Sequence, residues 1–463
     1  MSRTQWRYGH AMRHTVMRWR TAATLAANLA LVAPETVGAQ QGAAHPPVTH
    51  RAAAPTLLGD LFARVQRANP RIAAAQALAQ ATSERVPGAT RPPDPQLQLG
   101  FMNYTLPGLA PMPTLGMSQL QVMQMLPLGG KLGLAGRSAR AVASATAERA
   151  RDLGWELRSA TAMAFYDLYA TDRQLHVSRE TLRLLQDIEK TAVAMYRVGE
   201  GRQTDVLRAQ VEIAKMGEDT LRMQAMRVTM VARLNALMDR QAESEVGTPL
   251  LPHFPDTIPA RAWLDSLAYG DRPMIRAGLA AVSGAESSEK LARKEIWPDL
   301  QLGAQYAQRG GDMGTERMGS LMIGASVPLF ARDRQLRMRA EASAMKRMAE
   351  ADLAAMRAET RGKIGEAYAN LMRARSLARL YRTTVLPQAD ATVASALAAY
   401  RVGTVDFMTL LDGRMTVNEY RQELAALEAE QGKAWADLEM LTGHELFDPD
   451  RRLATVPGTR GAR

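Results

Sequence analysis

The sequence predicts a mostly helical α+β protein in which one unit of long antiparallel helices and two strands occurs twice. Matching blocks of sequence recur about 204 residues apart. No proline occurs between Pro127 and Pro249, which leaves room for a very long helix. Three of four candidate strands alternate apolar with small or polar residues, as strands do in a sheet with one apolar and one polar face. In the fourth, at 117–126, Gln124 breaks the apolar face.

The duplication consists of ungapped matches at nearly constant spacing. Residues 196–210 align with 400–414 at an offset of 204, and residues 70–100 align with 273–303 at an offset of 203. Such self-similarity in separate blocks indicates two copies of one unit. We therefore divide the chain into an export signal at 1–39, a linker at 40–55, a first repeat at 56–250, a second repeat at 251–445 and a tail at 446–463.

Each repeat is expected to contain a leading helix, two strands, a long helix and a returning helix. In the first repeat these are 56–86, 96–104 and 117–126, 131–195, and 203–240. In the second they are 260–296, 300–308 and 320–330, 331–399 with a kink or turn defect near Pro387, and 405–443. At 1.5 Å per residue a long helix spans about 100 Å, roughly the sum of a leading and a returning helix. Heptad spacing in the returning helices indicates coiled-coil packing.

The first 39 residues have the pattern of an export signal. Five arginines precede an apolar stretch at 21–33, and Val37-Gly38-Ala39 resembles a cleavage site. A disordered basic arm is the alternative, because Asn28 interrupts the apolar stretch. Beyond this segment no apolar run of about 18 residues predicts a transmembrane helix.

The composition excludes several classes of function. The chain has no Cys, which rules out a disulfide scaffold, a zinc ribbon, an iron–sulfur cluster and a thiol nucleophile. Its net charge of +11 is not accompanied by a nucleic-acid-binding motif, so we expect a solvated surface and no nucleic-acid partner. The sequence Gly129-Gly130-Lys131 lacks the other residues of a phosphate-binding loop. We expect it to form the turn that connects a strand to the following helix.

The chain resembles the TolC-like outer-membrane efflux family. The resemblance rests on the duplicated motif at 194–210 and 385–414, the strand-to-helix junction at 124–136 and PDPQLQLG at 93–100, and it covers 56–445. It implies a trimer in which four strands per chain form a 12-stranded outer-membrane β-barrel and the helices form a periplasmic tunnel. This agrees with the strand count, because only further copies can satisfy open sheet edges in lipid.

By this resemblance the protein is expected to be a passive exit duct that conducts small solutes or metal ions from the periplasm to the exterior. The PDP and PLGGK elements look most like the branch that serves heavy-metal exporters. The implied partners are two further copies, outer-membrane lipid, a periplasmic adaptor and an inner-membrane pump of the RND type. The alternatives are a soluble periplasmic coiled-coil scaffold whose hairpins cap a soluble domain, or an adaptor protein without a barrel.

Two sets of residues at the helical tip are candidate sites by resemblance. The adaptor would dock on the turns formed by Val198, Gly199, Glu200, Val402, Gly403 and Thr404. Tyr400 would donate a hydrogen bond to Asp205 and hold the periplasmic mouth shut, and three copies of Asp412 would ring the axis. The alternative is that Tyr400 packs in a helix seam and that both aspartates cap the returning helices.

The chain departs from the family pattern at three positions near the tip. Glu200 replaces a residue that is usually apolar, Val405 stands where the family has a latch arginine, and Thr409 replaces a second ring carboxylate. Arg202 and Arg401 are the candidate substitutes for the missing arginine. The chain also lacks the lipidated Cys of many relatives.

No catalytic or metal-binding constellation is evident, so neither an enzyme activity nor a cofactor nor a metal site is expected. His176, His253 and His444 are far apart in the sequence. The 27 methionines leave a copper path as an alternative, because thioethers bind soft cations. Met102, Met123, Met125 and Met322 can face the lumen of a barrel, although methionine more often fills helix interfaces.

Overall fold

The computed structural model describes residues 54–108, 110–112, 115–311 and 314–448. The predicted export signal, nearly all of the linker at 40–55 and the tail beyond residue 448 lie outside the described residues. Within this part of the chain, long helices alternate with short antiparallel strands in the order expected for two repeats.

The helices follow the predicted units, except that each leading helix is divided. The first repeat contains α1 (Leu58–Ala68), α2 (Pro70–Ala89), α3 (Lys131–Arg197) and α4 (Gln203–Leu237). The second contains α5 (Arg261–Asp271), α6 (Pro273–Lys294), α7 (Gln335–Leu380), α8 (Leu386–Arg401) and α9 (Phe407–Thr442). The expectation of continuous leading helices was wrong, because Asn69 and Arg272 have ψ angles of 120° and 121°. Each precedes a proline, which disfavours helical backbone at the residue before it.

The main sheet has four antiparallel strands. In chain order the strands are β1 (Gln96–Met102), β2 (Tyr104–Thr105), β3 (Ala110–Pro111), β4 (Met117–Leu126), β5 (Leu300–Gly311) and β6 (Gly314–Ala325). The sheet order is β1-β4-β5-β6, and β2 pairs with β3 in the link between β1 and β4. The strand expected at 320–330 was misplaced. Pairing continues through Arg309 and Glu316, whose side chains form a 2.7 Å ion pair, and it stops before Pro328, which cannot donate to a ladder.

The register of the sheet places the predicted apolar residues on one face. Leu97, Val122, Ala304 and Leu321 form one row across the four strands, and Gln98, Gln121, Gln305 and Ser320 form a row on the opposite face. The apolar face is open to solvent in the single chain: Leu99 is 71% exposed and Ile323 79%. Gln124 interrupts this face, and its amide donates to the carbonyl of Pro93 at 2.7 Å. The period-2 interpretation of the three alternating segments is therefore confirmed, and the interrupted candidate at 117–126 is also a strand.

The strand-to-helix junction of the first repeat is made by two glycines. Gly129 and Gly130 have φ angles of +72° and +78°, which residues with a Cβ rarely adopt, and α3 begins at the next residue, Lys131. The buried Lys131 ammonium donates to the Asp299 carboxylate at 2.8 Å and to the Trp297 carbonyl at 2.9 Å. The Gly-Gly-Lys sequence is thus a turn, and its lysine links the first repeat to the start of β5.

The long helix of the second repeat contains a shift of one residue in register. A π-helical segment, Tyr381–Val385, lies between α7 and α8 just before Pro387, so the expected defect at this proline is confirmed. The helix also starts at Gln335 instead of 331, after a series of turns. The buried residues Leu157, Thr161, Ala164, Leu168, Thr171 and Leu175 of α3 correspond at an offset of 203 to Thr360, Ile364, Ala367, Leu371, Ala374 and Ala378 of α7. Beyond the π segment the tip motifs match at 204, so the extra residue lies here.

Two shorter helices accompany each long helix, as predicted. Towards the tip α3 packs between α4 and α9, and α9 also packs on α7 and α8; towards the sheet α3 packs between α2 and α6, and α6 packs on α7. The heptad residues Leu410, Val417, Leu427 and Leu438 of α9 are all buried in these interfaces. In the described part of the chain no helix has the length and hydropathy needed to cross a membrane.

Candidate functional site

The two turns at the helical tip have the same backbone geometry. Gly199 has φ +81° and Gly403 has φ +74°, and each follows a long helix by two residues. In the first turn the carbonyl of Met195 accepts the amides of Glu200 and Gly201; in the second the carbonyl of Ala399 accepts the amide of Thr404. The positive φ explains the glycine at both positions, because it closes the last helical turn without a Cβ clash.

Both turns expose an apolar side chain to solvent. Val198 is 70% exposed and Val402 is 73% exposed, beside glycines whose Cβ positions meet no atom within 4 Å. The turns differ in their next residue: the Thr404 hydroxyl donates to the Ala399 carbonyl at 3.0 Å, whereas Glu200 is an exposed carboxylate. Each turn thus presents an exposed valine at the end of a long helix.

A hydrophobic cluster fixes the helices directly behind the turns. Its buried residues come from α3, α4, α8 and α9: Leu185, Ile188, Ala192, Ala209, Met216, Val393, Tyr400, Phe407, Leu410, Leu411 and Val417. The rings of Tyr400 and Phe407 meet edge to face with 5.8 Å between centroids. Tyr400 therefore does pack in a helix seam, as the alternative interpretation proposed.

The hydrogen bond that the resemblance implied between Tyr400 and Asp205 is not formed. The Tyr400 hydroxyl is buried and has no hydrogen-bond partner among the described residues. Burial raises the pKa of Tyr400, and the negative charge of Asp205 raises it further. The ring packs in the cluster with Phe407.

The capping interpretation of the two aspartates was also wrong. The residue that caps α9 is Asp406, whose carboxylate accepts the Thr409 amide at 3.1 Å and also accepts the Thr409 hydroxyl. The Thr409 hydroxyl and amide lower the pKa of Asp406, and Arg202 contributes through its charge. Asp205 lies inside the first turn of α4 without a capping hydrogen bond, and Asp412 is exposed more than one turn into α9.

A group of charged residues behind the hydrophobic cluster was missed by sequence reasoning. Arg421 of α9 contacts Glu180 of α3 at 3.3 Å and Asp390 of α8 at 3.1 Å. Burial and the charge of Arg421 lower the pKa of Arg414 in the same group. These pairs link three helices. Their partners are 241 and 31 residues apart in the chain, so no local pattern reveals them.

The predicted lone histidines are scattered in the structure as well. His444 contacts the Asp271 carboxylate at 2.8 Å, while His176 and His253 lie on other elements. Within residues 54–448, as far as they are described, no three His, Cys, Asp or Glu side chains are grouped so that they could hold a metal ion.

Part of the chain is similar in sequence to known proteins. Residues 264–444 match the family described as outer membrane efflux protein. Outer membrane efflux protein BepC of Brucella suis biovar 1 is 27% identical over 176 residues, which cover 36% of this chain and 37% of BepC. The match thus spans little more than a third of the length of that curated relative.

Solved structures of outer-membrane channels have the same fold. CusC superposes with a TM-score of 0.73 at 17% identity, over 84% of this chain and 93% of CusC. VceC of Vibrio cholerae superposes with a TM-score of 0.72 at 17% identity, over 84% of this chain and 96% of VceC. The open state of the outer membrane channel MtrE of Neisseria gonorrhoeae superposes with a TM-score of 0.71 at 14% identity, over 84% of this chain and 89% of MtrE.

Proposed function

We propose that this chain, a TolC-like member of the outer membrane efflux protein family, is the outer-membrane exit duct of a tripartite export system. Three copies would close one barrel and one helical tunnel, through which small solutes or metal ions pass without energy input from this protein. The observation that carries the proposal is the four-stranded sheet, which has an exposed apolar face and two unpaired edges at β1 and β6.

The sheet supports closure with further copies in lipid. Leu97, Leu99, Leu321 and Ile323 expose large apolar side chains on one face, which is unfavourable in water and favourable against acyl chains. The opposite face carries Gln98, Gln121 and Gln305, which suit a water-filled lumen. Backbone groups at the two open edges need partners in a membrane, and the edges of neighbouring copies supply them.

The helical half supports the same closure. Towards the tip α4 is an outer helix, with α3 on one side, and it exposes Leu207, Val211 and Leu221. These residues are spaced by four and ten, which keeps them on one stripe of the helix. A helix of a second copy would cover this stripe and continue the tunnel wall.

The barrel assignment is tested on the two faces of the sheet. Arg in place of Leu99 or Ile323 should cost about 2–4 kcal/mol in a bilayer, because each charge would enter the hydrocarbon at mid-depth. Arg in place of Gln98 or Gln301 should be tolerated, because these side chains would face water. The measurement is the yield of folded trimer in outer-membrane fractions. Equal damage from substitutions on both faces would refute the assignment.

The cellular location distinguishes the duct from its rival. A duct should appear as a heat-modifiable trimer in the outer-membrane fraction, since barrels resist unfolding in detergent until heated. A soluble periplasmic scaffold or adaptor would instead be released by osmotic shock, and this result would contradict the proposal. If the protein is found as a trimer in the outer membrane, its operon neighbours would indicate the pump and the cargo.

The tip would form the gate and the docking surface. The exposed Val198 and Val402 turns would contact the periplasmic adaptor, through which an inner-membrane pump of the RND type drives export. Tyr400 and Asp205 would act at the mouth, with the Arg421 ion pairs holding α8 and α9 against α3. Three exposed copies of Asp412 would form a ring that attracts cations.

The gate is tested by conductance in planar bilayers. Asp205→Ala combined with Tyr400→Phe should raise the single-channel conductance, because the double variant removes both groups from the mouth. Asp412→Asn should weaken the block by multivalent cations added from the periplasmic side, whereas Asp187→Asn, an exposed aspartate of α3, should not. Unchanged conductance in the double variant, with trimers intact, would remove the support for a role of Tyr400 and Asp205 in gating.

A further inference from the structure

Residues 238–260, between α4 and α5, form a linker between the repeats that is separate from the one predicted at 40–55. This inter-repeat linker runs beside two grooves at equivalent places in the two copies. The first groove lies between α3 and α4, has a volume of about 580 Å³, and is bordered by Thr248 and Pro249 of the linker. The second lies between the end of α7 and α9, has a volume of about 260 Å³, and is bordered by residues 251–256. Asp172, His176, Arg179, Gln224 and Arg227 of the first groove correspond to Arg375, Arg379, Arg382, Glu428 and Gln431 of the second.

The second groove contains its own carboxylate. Glu428 accepts a hydrogen bond from Arg382 at 2.6 Å through one oxygen and from the Tyr169 hydroxyl at 2.6 Å through the other. Arg375 donates to the carbonyl of Asp256 in the linker. Arg382 is thus neutralised and Arg375 is hydrogen-bonded from within the chain, and the linker fills part of the space. Arg379, the counterpart of His176, is exposed.

The first groove has no equivalent carboxylate, because Gln224 stands where the second copy has Glu428. Arg227 is satisfied by Asp172 at 2.7 Å and by the Val246 carbonyl at 3.1 Å. Arg173, His176 and Arg179 are exposed, and none of them makes a hydrogen bond or ion pair with another described residue. These three residues are spaced by three, so they lie along one face of α3 and make the groove basic.

We propose that the first groove binds an acidic segment of a partner protein, with one of its carboxylates in the position that Glu428 fills in the second groove. Arg179 is the counterpart of Arg382, and a guanidinium binds a carboxylate through two parallel hydrogen bonds. Arg173 lies almost two helical turns further along the same face, beyond the reach of that first carboxylate. A segment with several acidic side chains satisfies both arginines, and an isolated anion satisfies only one. The inference does not depend on the duct.

The test uses purified full-length protein and a fluorescent hexaglutamate peptide, with hexaglutamine as the uncharged probe. Hexaglutamate should bind at low salt and more weakly at 0.15 M salt, because the interaction is electrostatic. Arg173→Ala combined with Arg179→Ala should weaken its binding at least tenfold. Arg140→Ala combined with Arg149→Ala, which removes the same charge from exposed positions of α3, should leave it unchanged.

A second variant tests the position of the carboxylate without removing any arginine. Gln224→Glu gives the first groove the acid that the second already has, so Arg179 should bind it within the chain and hexaglutamate binding should fall at least tenfold. Size-exclusion chromatography checks that each variant has the assembly state of the wild type. Equal binding by the wild type and the Arg173/Arg179 variant, or no binding at low salt, would overturn the proposal. Displacement by succinate at equal carboxylate concentration would also overturn it, in favour of a site for small dicarboxylates.

Discussion

Gly403→Trp is expected to abolish export while the trimer remains intact. The indole would project from the tip beside Val402, into the space where the adaptor is proposed to dock, and the Cβ position of Gly403 meets no other atom within 4 Å. The fold therefore has room for the indole, whereas the indole would clash with an adaptor docked on the turn. The measurement is accumulation of a pump substrate in cells, with trimer content determined from the same membranes.

Gly403→Ala is the matched control for this variant. Both substitutions place a Cβ at φ +74°, which costs roughly 1–2 kcal/mol, so both carry the same backbone strain. The alanine variant should retain export, because its methyl group adds little bulk to the turn. Loss of trimers in both variants would instead show that Gly403 serves only as a helix terminator. Gly199→Trp tests separately whether the first turn, with Glu200, contributes to docking.

Lys131→Met is expected to destabilise the protein by about 3 kcal/mol, near the lower end of the cost of breaking a buried ion pair. The ammonium group is buried and contacts the carboxylates of Asp299 at 2.8 Å and Glu295 at 3.5 Å, as well as the Trp297 carbonyl. Its removal leaves Asp299, whose side chain is only 21% exposed, without a compensating charge. The measurement is the midpoint of denaturant unfolding of the purified protein.

Two further variants identify the source of this effect. Lys131→Met combined with Asp299→Asn should recover part of the loss, because the uncompensated carboxylate is then also removed. Lys190→Ala breaks a pair with Asp187 that has a similar distance of 2.9 Å but is exposed to solvent, and it should not change the midpoint measurably. A Lys131→Met protein as stable as the wild type would show that the lysine does not hold the two repeats together.

The sequence by itself determined the elements and the faces they present. Periodicity is a local property, so Leu97 and Gln98 could be assigned to opposite faces before any strand pairing was known. The turns at Gly199 and Gly403 were likewise predictable. A helix commonly ends with a residue of positive φ, and glycine adopts that backbone conformation without strain. The same holds for the duplication, which needs only comparison of the chain with itself.

The proline positions show the limit of such local reasoning. Pro70 and Pro273 were visible in equivalent places, yet a proline is accepted at the first position of a helix as readily as at a break. The change of offset from 203 to 204 was visible too, but its location in the π segment before Pro387 emerged only when the buried faces of α3 and α7 were compared.

Only the tertiary structure decided which polar groups meet. The Tyr400 hydroxyl lacks the hydrogen bond to Asp205 that the resemblance implied, while Arg421 joins Glu180 and Asp390 across three helices. The difference between a groove in which Glu428 binds Arg382 and an equivalent groove in which Gln224 stands at that position also became evident only when the repeats were packed. Such pairs depend on distances of a few ångströms between residues far apart in the chain, and a one-residue register shift rotates every side chain beyond it. Hydrophobic periodicity tolerates that shift, whereas a hydrogen bond does not.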